Sequence, residues 1–398
     1  MGAPDLVVVN GDIVTFDPLF PRVRALALRG GRVAALGSEE DIRALAGAET
    51  RVVDCGGRIV LPGFQDAHIH LQDSGQSYAF NAPLDQCLNV PDLQDALRRH
   101  AETTPGQWVN GVGWYSGIFH DGNLDRRVLD AAVPDRPCLI VASDGHNACL
   151  NSAAIAAIGL GPDTPDPANG HFVRDPSGEA TGMLHEAAIE WAEARMPAPG
   201  DEDFAAGVRH AQALANRHGI TGVLDASVGE RHARVYQRLA DAGELTVRVG
   251  ATAKVYPEEA TRAAVERLEG LRRNHSGPMF KVHSAKFFLD GVIENRTAAM
   301  LAPYSDAAGG NAPLMFGHNQ IGELFTAFDA ARFQIHVHVI GDFACRAALD
   351  GLAAARHANG AWPSLHQIAH VQCIDPADIP RFGRTRRHGQ HPAALGPP

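Results

Sequence analysis

The chain reads as an α/β protein built on a TIM-like (β/α) barrel, with a small β-rich unit ahead of it. Helix-like and strand-like stretches alternate from residue 203 to residue 372. An apolar, strand-like run closes on His68 and His70, one residue apart. Lys286, His338 and His370 each stand near the end of a later strand-like run. Repeated α-then-β units imply a parallel sheet, and in a barrel the strand ends carry the chemistry.

Residues 5–60 alternate apolar and polar positions around Asn-Gly and Gly-Gly turns, which predicts a small β-meander, part of a β-sandwich over 1–62. The barrel is expected over 63–384, opening with LPGFQDAHIHL at 61–71. Residues 75–200 are rich in Pro and Gly and read as an insertion after the first strand, with a helix at 92–102, a strand at 137–143, a helix at 151–160 and a loop at 161–178. Helix–strand pairs follow at 203–218 and 219–227, 229–242 and 245–255, 258–274 and 279–291, 320–332 and 333–342, and 343–358 and 364–372. The histidine pair, Lys286, His338 and His370 are then expected at the ends of strands one, five, six and seven. A doubly wound open sheet is the alternative, and it would not gather those ends around one point.

Composition narrows the function. The chain has 398 residues, 45% of them hydrophobic, enough for a large core. A net charge of −11, with both signs mixed, argues against a nucleic-acid partner or an anionic membrane surface. The first residues show no basic n-region and apolar h-region, and no apolar run reaches 18 residues, so neither a secretory signal nor a membrane span is expected. Cys55, Cys87, Cys138, Cys149, Cys345 and Cys373 are scattered without C-x-x-C spacing and read as reduced thiols of a cytoplasmic protein. No G-x-x-x-x-G-K-[ST] or G-x-S-x-G string occurs.

In an extended chain residues i and i+2 share a face, so His68 and His70 reach one point and could hold a divalent metal; two unrelated polar histidines are the plainer alternative. Lys286 lies in the apolar run HSAKFFLDG. A buried lysine is costly unless paired or modified; once deprotonated it can add carbon dioxide, giving a carbamate that bridges two metals. It could instead snorkel outward or pair with Asp290. His338 and His370 end the runs HVHV and QIAH, with His336 and His366 on the same faces but deeper, as core or supporting residues. Imidazole and carboxylate ligands suit zinc, manganese or iron.

The strings VVNGDIVTFDP, LPGFQDAHIHL, LDAAVPDRPCLIVASDGHNACLNSAAI, KFFLDGVIENRTAAM, HVHVIGDFA and HQIAHVQ, spread from residue 5 to about 383, resemble the amidohydrolase-3 group of the amidohydrolase superfamily, the YtcJ-like and N-substituted formamide deformylase-like proteins. The resemblance implies a metal-dependent hydrolase barrel with a flanking β-sandwich. It implies a metal site at His68, His70, Lys286, His338 and His370, with Lys286, His338 and His370 also in the catalytic set. The cofactor it implies is one or two divalent ions, foremost zinc, with Lys286 open to carbamylation. Metal-activated water would then hydrolyse a non-peptide carbon–nitrogen bond of amide or formamide type in a small-molecule substrate, and the group allows a homodimer. Metal-dependent deamination or ring opening uses the same ligands.

The superfamily's proton acceptor, an aspartate ending the eighth strand, has no counterpart here. Residues 385–398, TRRHGQHPAALGPP, are basic and lack apolar periodicity. A one-base shift in a GC-rich back-translation of them gives LGVTANIQPRWA, so the expectation is an aberrant, frameshifted tail, a barrel lacking strand eight and impaired activity. A catalytically inactive remnant that binds metal or ligand is the second reading. Asp66 shares the face of His68 and is expected to orient a ligand. Trp114 and His146 would line the substrate pocket or pack the insertion. Asp225 ends its strand toward the site, and Arg296 would bind a substrate carbonyl or anion, or fix a loop.

Overall fold

The computed structural model describes residues 2–104, 106–119, 123–305 and 310–384. The chain divides into two units, Met1–Phe64 and Gln65–Pro398. The expectations for the 385–398 tail lie outside the described residues.

In the first unit the expected meander is two small sheets. Strands β1 (Leu6–Val9), β2 (Asp12–Val14), β3 (Arg22–Val23), β4 (Ala25–Arg29), β5 (Arg32–Gly37), β6 (Arg51–Asp54) and β7 (Ile59–Val60) pair in the orders β5-β4-β1-β6 and β3-β2-β7. The β1–β6 pair is parallel, so the chain cannot simply zigzag. Alternation works as the sequence implies: Val7, Val9, Ala25 and Ala27 point inward against Ile42 of helix α1 (Glu39–Arg43), which Ser38 caps by accepting the Asp41 N–H.

The second unit opens with β8 (Phe64–Ile69) and helix α2 (Leu71–Phe80). The segment expected as an insertion builds its own sheet from β9 (Ala82–Pro83), β10 (Val109–Trp114), β11 (Cys138–Ala142), β12 (Asn147–Leu150), β13 (Gly170–Arg174) and β14 (Ala180–Glu186), in the order β13-β14-β12-β11-β10-β9. Helices α3 (Val90–Thr103), α4 (Arg126–Asp130), α5 (Ser152–Ile158) and α6 (Ala187–Glu193) accompany it. Side-chain caps set the helix starts: the Asn89 and Asn151 side chains accept the Asp92 and Ala154 N–H groups. One expectation is corrected here: the loop at 161–178 contains β13. The strand at 137–143, expected within the insertion, is β11, hydrogen-bonded to β10 and β12. Its CLIVA run is buried almost throughout, which makes it read like a barrel strand.

The barrel strands are β8, β15 (Ile220–Val228), β16 (Arg248–Lys254), β17 (Phe280–Phe288), β18 (Gln334–Val339) and β19 (Gln367–His370). Helices α7 (Asp201–Arg217), α8 (Glu230–Asp241), α9 (Thr261–Asn274), α10 (His318–Ala330) and α11 (Asp342–Asn359) alternate with them, and α12 (Ile379–Arg384) follows. The sheet order β19-β18-β17-β16-β15-β8 makes Lys286, His338 and His370 residents of strands four, five and six, not five, six and seven. Outward-facing residues build the core between sheet and helices. Phe287 on β17 meets Phe325 and Phe328 of α10 with ring centroids 4.9 and 5.7 Å apart.

This sheet is strongly curled. β8 and β19 are opposite edges of six strands, so a flat sheet would hold them about 24 Å apart at the usual strand spacing. Yet the rings of His68 on β8 and His370 on β19 lie 4.9 Å apart. A doubly wound open sheet cannot do this; a nearly closed barrel does. No helix among the described residues is long and apolar enough to cross a membrane.

Candidate metal centre

His68 lies near the end of β8 and His70 directly follows the strand as the N-cap of α2; the Asp66 carboxylate accepts the His68 backbone N–H at 3.0 Å, fixing the strand end beside both rings. Their centroids are 5.6 Å apart. His338 and His370 come from the opposite side of the curl with centroids 4.6 Å apart. The backbone at His370 and Val371 is left-handed, φ +75° and +48°, a strained turn that breaks β19 at its last histidine.

Lys286 is fully buried on the inner face of β17, and its Nζ has no hydrogen-bond partner among the described residues. Pairing with Asp290 does not occur: that carboxylate accepts the backbone N–H groups of Ala299, Ile340 and Gly341. Nor does the lysine snorkel out; its Nζ stands 4.5 Å from the centroid of the Phe288 ring. Burial pulls the ammonium down to about 7, leaving much of it as free amine at neutral pH. The imidazoles are held neutral as well: burial, with the charge of Lys286 adding to it, depresses His68 to about 3 and His70 to about 4. Burial and the neighbouring His370 take His338 to about 2.

His336, expected to lie deeper as a core or supporting residue, is a member of the cluster. Its Nε2 is 2.8 Å from His68 Nδ1, while its own Nδ1 is buried without a partner. The curl brings strand five over strand one, a relation absent from local sequence. Among the described residues, no three His, Cys, Asp or Glu side chains are arranged as they stand to hold a metal ion.

The second sheet contributes an unforeseen pair. His146 Nδ1 lies 2.7 Å from Glu186 Oε2, and the His146 ring lies 5.6 Å from that of His338. Glu186 is nearly buried, accepts Thr297 Oγ1–H at 2.6 Å, and has φ +53°. Although burial opposes its charge, the bonds from His146 and Thr297 hold Glu186 below the usual carboxylate range. Burial likewise opposes a charged His146, but Glu186 outweighs it and raises that imidazole. Gly291 is required beside this pair, since a Cβ there would sit 2.6 Å from Glu186 Oε1 and 2.2 Å from Thr297 Oγ1. Neither Glu186 nor its left-handed backbone carries a local sequence signal; the only hint is a carboxylate following a histidine in GMLHEAA.

The remaining candidates separate. Asp225 is buried and bonded to Tyr236 Oη at 2.5 Å, and burial raises it to about 6. Trp114 is fully buried in the core of the second sheet, edge-on to Phe119, the packing role that was its alternative. Arg296 borders a cavity of about 760 Å³ together with Glu186, Asn147, His185, His171 and Glu294. His366, off the site as expected, accepts the Ile335 N–H at Nδ1 and meets Asp329 through Nε2.

Residues 51–388 match the amidohydrolase family. The chain is 30% identical over 376 residues to the putative amidohydrolase YtcJ of Bacillus subtilis, covering 91% of this chain and 68% of that protein. It is 34% identical over 254 residues to the N-substituted formamide deformylase of Arthrobacter pascens, covering 61% of this chain and 46% of that enzyme. The alignments thus span about half to two thirds of these curated relatives. In fold it is similar to an uncharacterized metal-dependent hydrolase from Pyrococcus horikoshii, with a TM-score of 0.72 at 24% identity over 96% of this chain and 73% of that one. The extent of these matches, over a barrel whose strand ends converge on histidines and a buried lysine, shows that the chain belongs to the amidohydrolase family.

Proposed function

We propose that the protein is a metal-dependent hydrolase of a non-peptide carbon–nitrogen bond, of amide or formamide type. The observation that carries this reading is the convergence of His68, His70, His338 and His370 around the unpartnered Lys286 at one end of a curled parallel sheet. The donor set fits a divalent ion, foremost zinc: the imidazoles are neutral, and the lysine is an amine able to take up carbon dioxide near neutral pH. His68, His70, His338 and His370, and Lys286 as its carbamate, would hold one or two ions. If His68 were to bind an ion through Nδ1, it would give up its 2.8 Å contact with His336 Nε2. When bound, the metal supplies a Lewis acid for the substrate carbonyl and a water acid enough to attack near neutral pH.

The chain's own residues do the rest. Asp66 fixes the β8 terminus that carries two ligands. Phe288 and the apolar barrel interior exclude bulk water from Lys286. Two nearby carboxylates are committed elsewhere, Asp225 to Tyr236 and Asp290 to three backbone N–H groups. Proton transfer therefore falls to His146, whose Nδ1 is tied to Glu186 and whose Nε2 is the nitrogen left for a proton.

The test is metal content and turnover on the same purified protein. Expected are one or two zinc ions per chain, slow release of amine from an N-formyl amine, and loss of both on chelation. Lys286→Met should bind less zinc and gain nothing from bicarbonate. Zinc without turnover favours the second reading, a catalytically inactive remnant that binds metal or ligand. Absence of both zinc and turnover would overturn the hydrolase reading. The six unpaired cysteines support the further proposal of a reducing, cytoplasmic setting.

A further inference from the structure

Next to the histidine cluster, on the far side of Glu186, lies the cavity of about 760 Å³. One wall is a cross-strand row. Asn147 on β12 is the register partner of His185 on β14, and His185 is the register partner of His171 on β13. Register partners put their side chains on one face of a sheet, with Cβ atoms about 5 Å apart. All three line the cavity, and the two imidazoles stack at 6.3 Å with planes 14° apart.

The hydrogen bonds of this row fix what it lacks. His171 Nδ1 is taken by Asp166 Oδ2 at 2.7 Å. His185 Nε2 meets Asn123 Oδ1 at 3.1 Å, which puts the proton of the neutral ring on Nε2 and makes Nδ1 an acceptor, with the Asn295 side chain near the same ring. Asn147 Nδ2 donates to Asp144 Oδ2 at 2.8 Å, which leaves Asn147 Oδ1 as an acceptor. Both His185 Nδ1 and Asn147 Oδ1 are buried with no hydrogen-bond partner. A buried acceptor without a donor costs free energy that a matching ligand returns. Two such acceptors side by side call for a group with two N–H or O–H donors. Glu186 and Glu294 line the same cavity, but so does Arg296, so the wall is not a one-signed seat for a cation.

We infer that this cavity binds the non-reacting portion of the substrate, and that the row Asn147–His185 selects a neutral, donor-bearing group there, such as a primary carboxamide or a ureido NH₂, over a hydrocarbon of the same shape. The inference rests on the hydrolase reading for where the scissile bond lies, because Glu186 both lines the cavity and holds His146 against the His338 ring. It does not rest on turnover. A site built to pair a polar group rejects the analogue lacking it far more strongly than it responds to one methylene.

Equilibrium binding to the chelator-treated full chain tests it, using a matched pair in which only the end group differs. N-formyl-3-aminopropanamide ends in CONH₂, and N-formyl-3-methylbutylamine ends in the isosteric CH(CH₃)₂. Calorimetry should show the amide binding at least about a hundredfold more tightly. His185→Phe keeps the stack on His171 and should cut that preference about tenfold or more. Asn147→Leu should do the same, with circular dichroism and the melting temperature establishing that each variant is folded. Tighter binding of the hydrocarbon, or no measurable binding of the amide, overturns the inference. So does a preference that both folded variants leave unchanged, or tighter binding of the cationic N-formylethylenediamine. Amide binding without hydrolysis of either compound in the zinc-loaded protein supports the inference while counting against the hydrolase reading. Hydrolysis with a hydrocarbon preference does the reverse.

Discussion

A buried imidazole is compatible with the fold only while it stays neutral, and His283 isolates that rule from the residues proposed as metal ligands. It lies on β17, three residues before Lys286, with Nδ1 buried and unpartnered. Burial, with Lys281 adding to it, lowers its pKa from 6.5 to about 4. Below 6.5 the unfolded chain takes up a proton that the folded chain refuses until about pH 4. Stability is therefore lost as pH falls through this window, on the order of 3 kcal/mol from this one group. Denaturant unfolding of His283→Gln between pH 7 and 4 should show a shallower loss than the parent; superimposable curves would sink the assignment. At this scale the sequence is uneven. Lys286 announces itself because a cation amid apolar residues needs a reason, and the H-x-H spacing does the same for His68 and His70. His336, Glu186 and the Asn147–His185 row do not, because their meaning lies in contacts across strands and in a left-handed backbone that the sequence does not specify.

Helix α2 begins directly after His70, so its seat on α7 governs where one proposed ligand stands. The two helices touch through glycines: a Cβ at Gly207 would lie 2.4 Å from the Gln76 backbone nitrogen, and one at Gly75 would lie 2.4 Å from the Gly207 carbonyl oxygen. Gly207→Ala should push the helices apart and cost about 1–3 kcal/mol. By moving the start of α2 it should also weaken zinc binding. Gly322→Ala in α10, where the added methyl meets nothing within 4 Å, should instead stabilise by about 0.5–1 kcal/mol and leave zinc affinity alone. Melting temperatures and zinc titrations on the pair check both; equal zinc affinity in all three proteins would refute the coupling of helix seat to ligand. The regular helix–strand pairs after residue 200 are legible because apolar periodicity and short links coincide. The segment before them is legible in part: the helix at 92–102, the strand at 137–143 and the helix at 151–160 stand as α3, β11 and α5, whereas α2, with Gly75 in its middle, and β13, in a stretch rich in turn residues, lack that periodicity.

Across the whole barrel, the metal reading joins elements that no hydrogen bond of the sheet joins. β8 and β19 are the two edges among the described strands, yet they supply His68, His70 and His370 to one point. An ion held there would tie one edge to the other and close the curl from inside, so its binding free energy would add to the stability of the whole unit. The linkage is calculable: free zinc at a thousand times its dissociation constant should stabilise the folded chain by about 4 kcal/mol, provided the unfolded chain binds little. His370→Ala removes the ligand proposed on the β19 edge, and Lys286→Met removes a proposed inner one. In thermal unfolding, zinc should raise the parent's melting temperature and chelation should reverse it. His370→Ala should lose most of the increment, because the ion would then no longer span the two edges. Lys286→Met separates the terms, since its metal-free form no longer buries an unpaired amine and should melt no lower than the parent. A zinc increment that survives intact in both variants would place the ion somewhere other than this cluster.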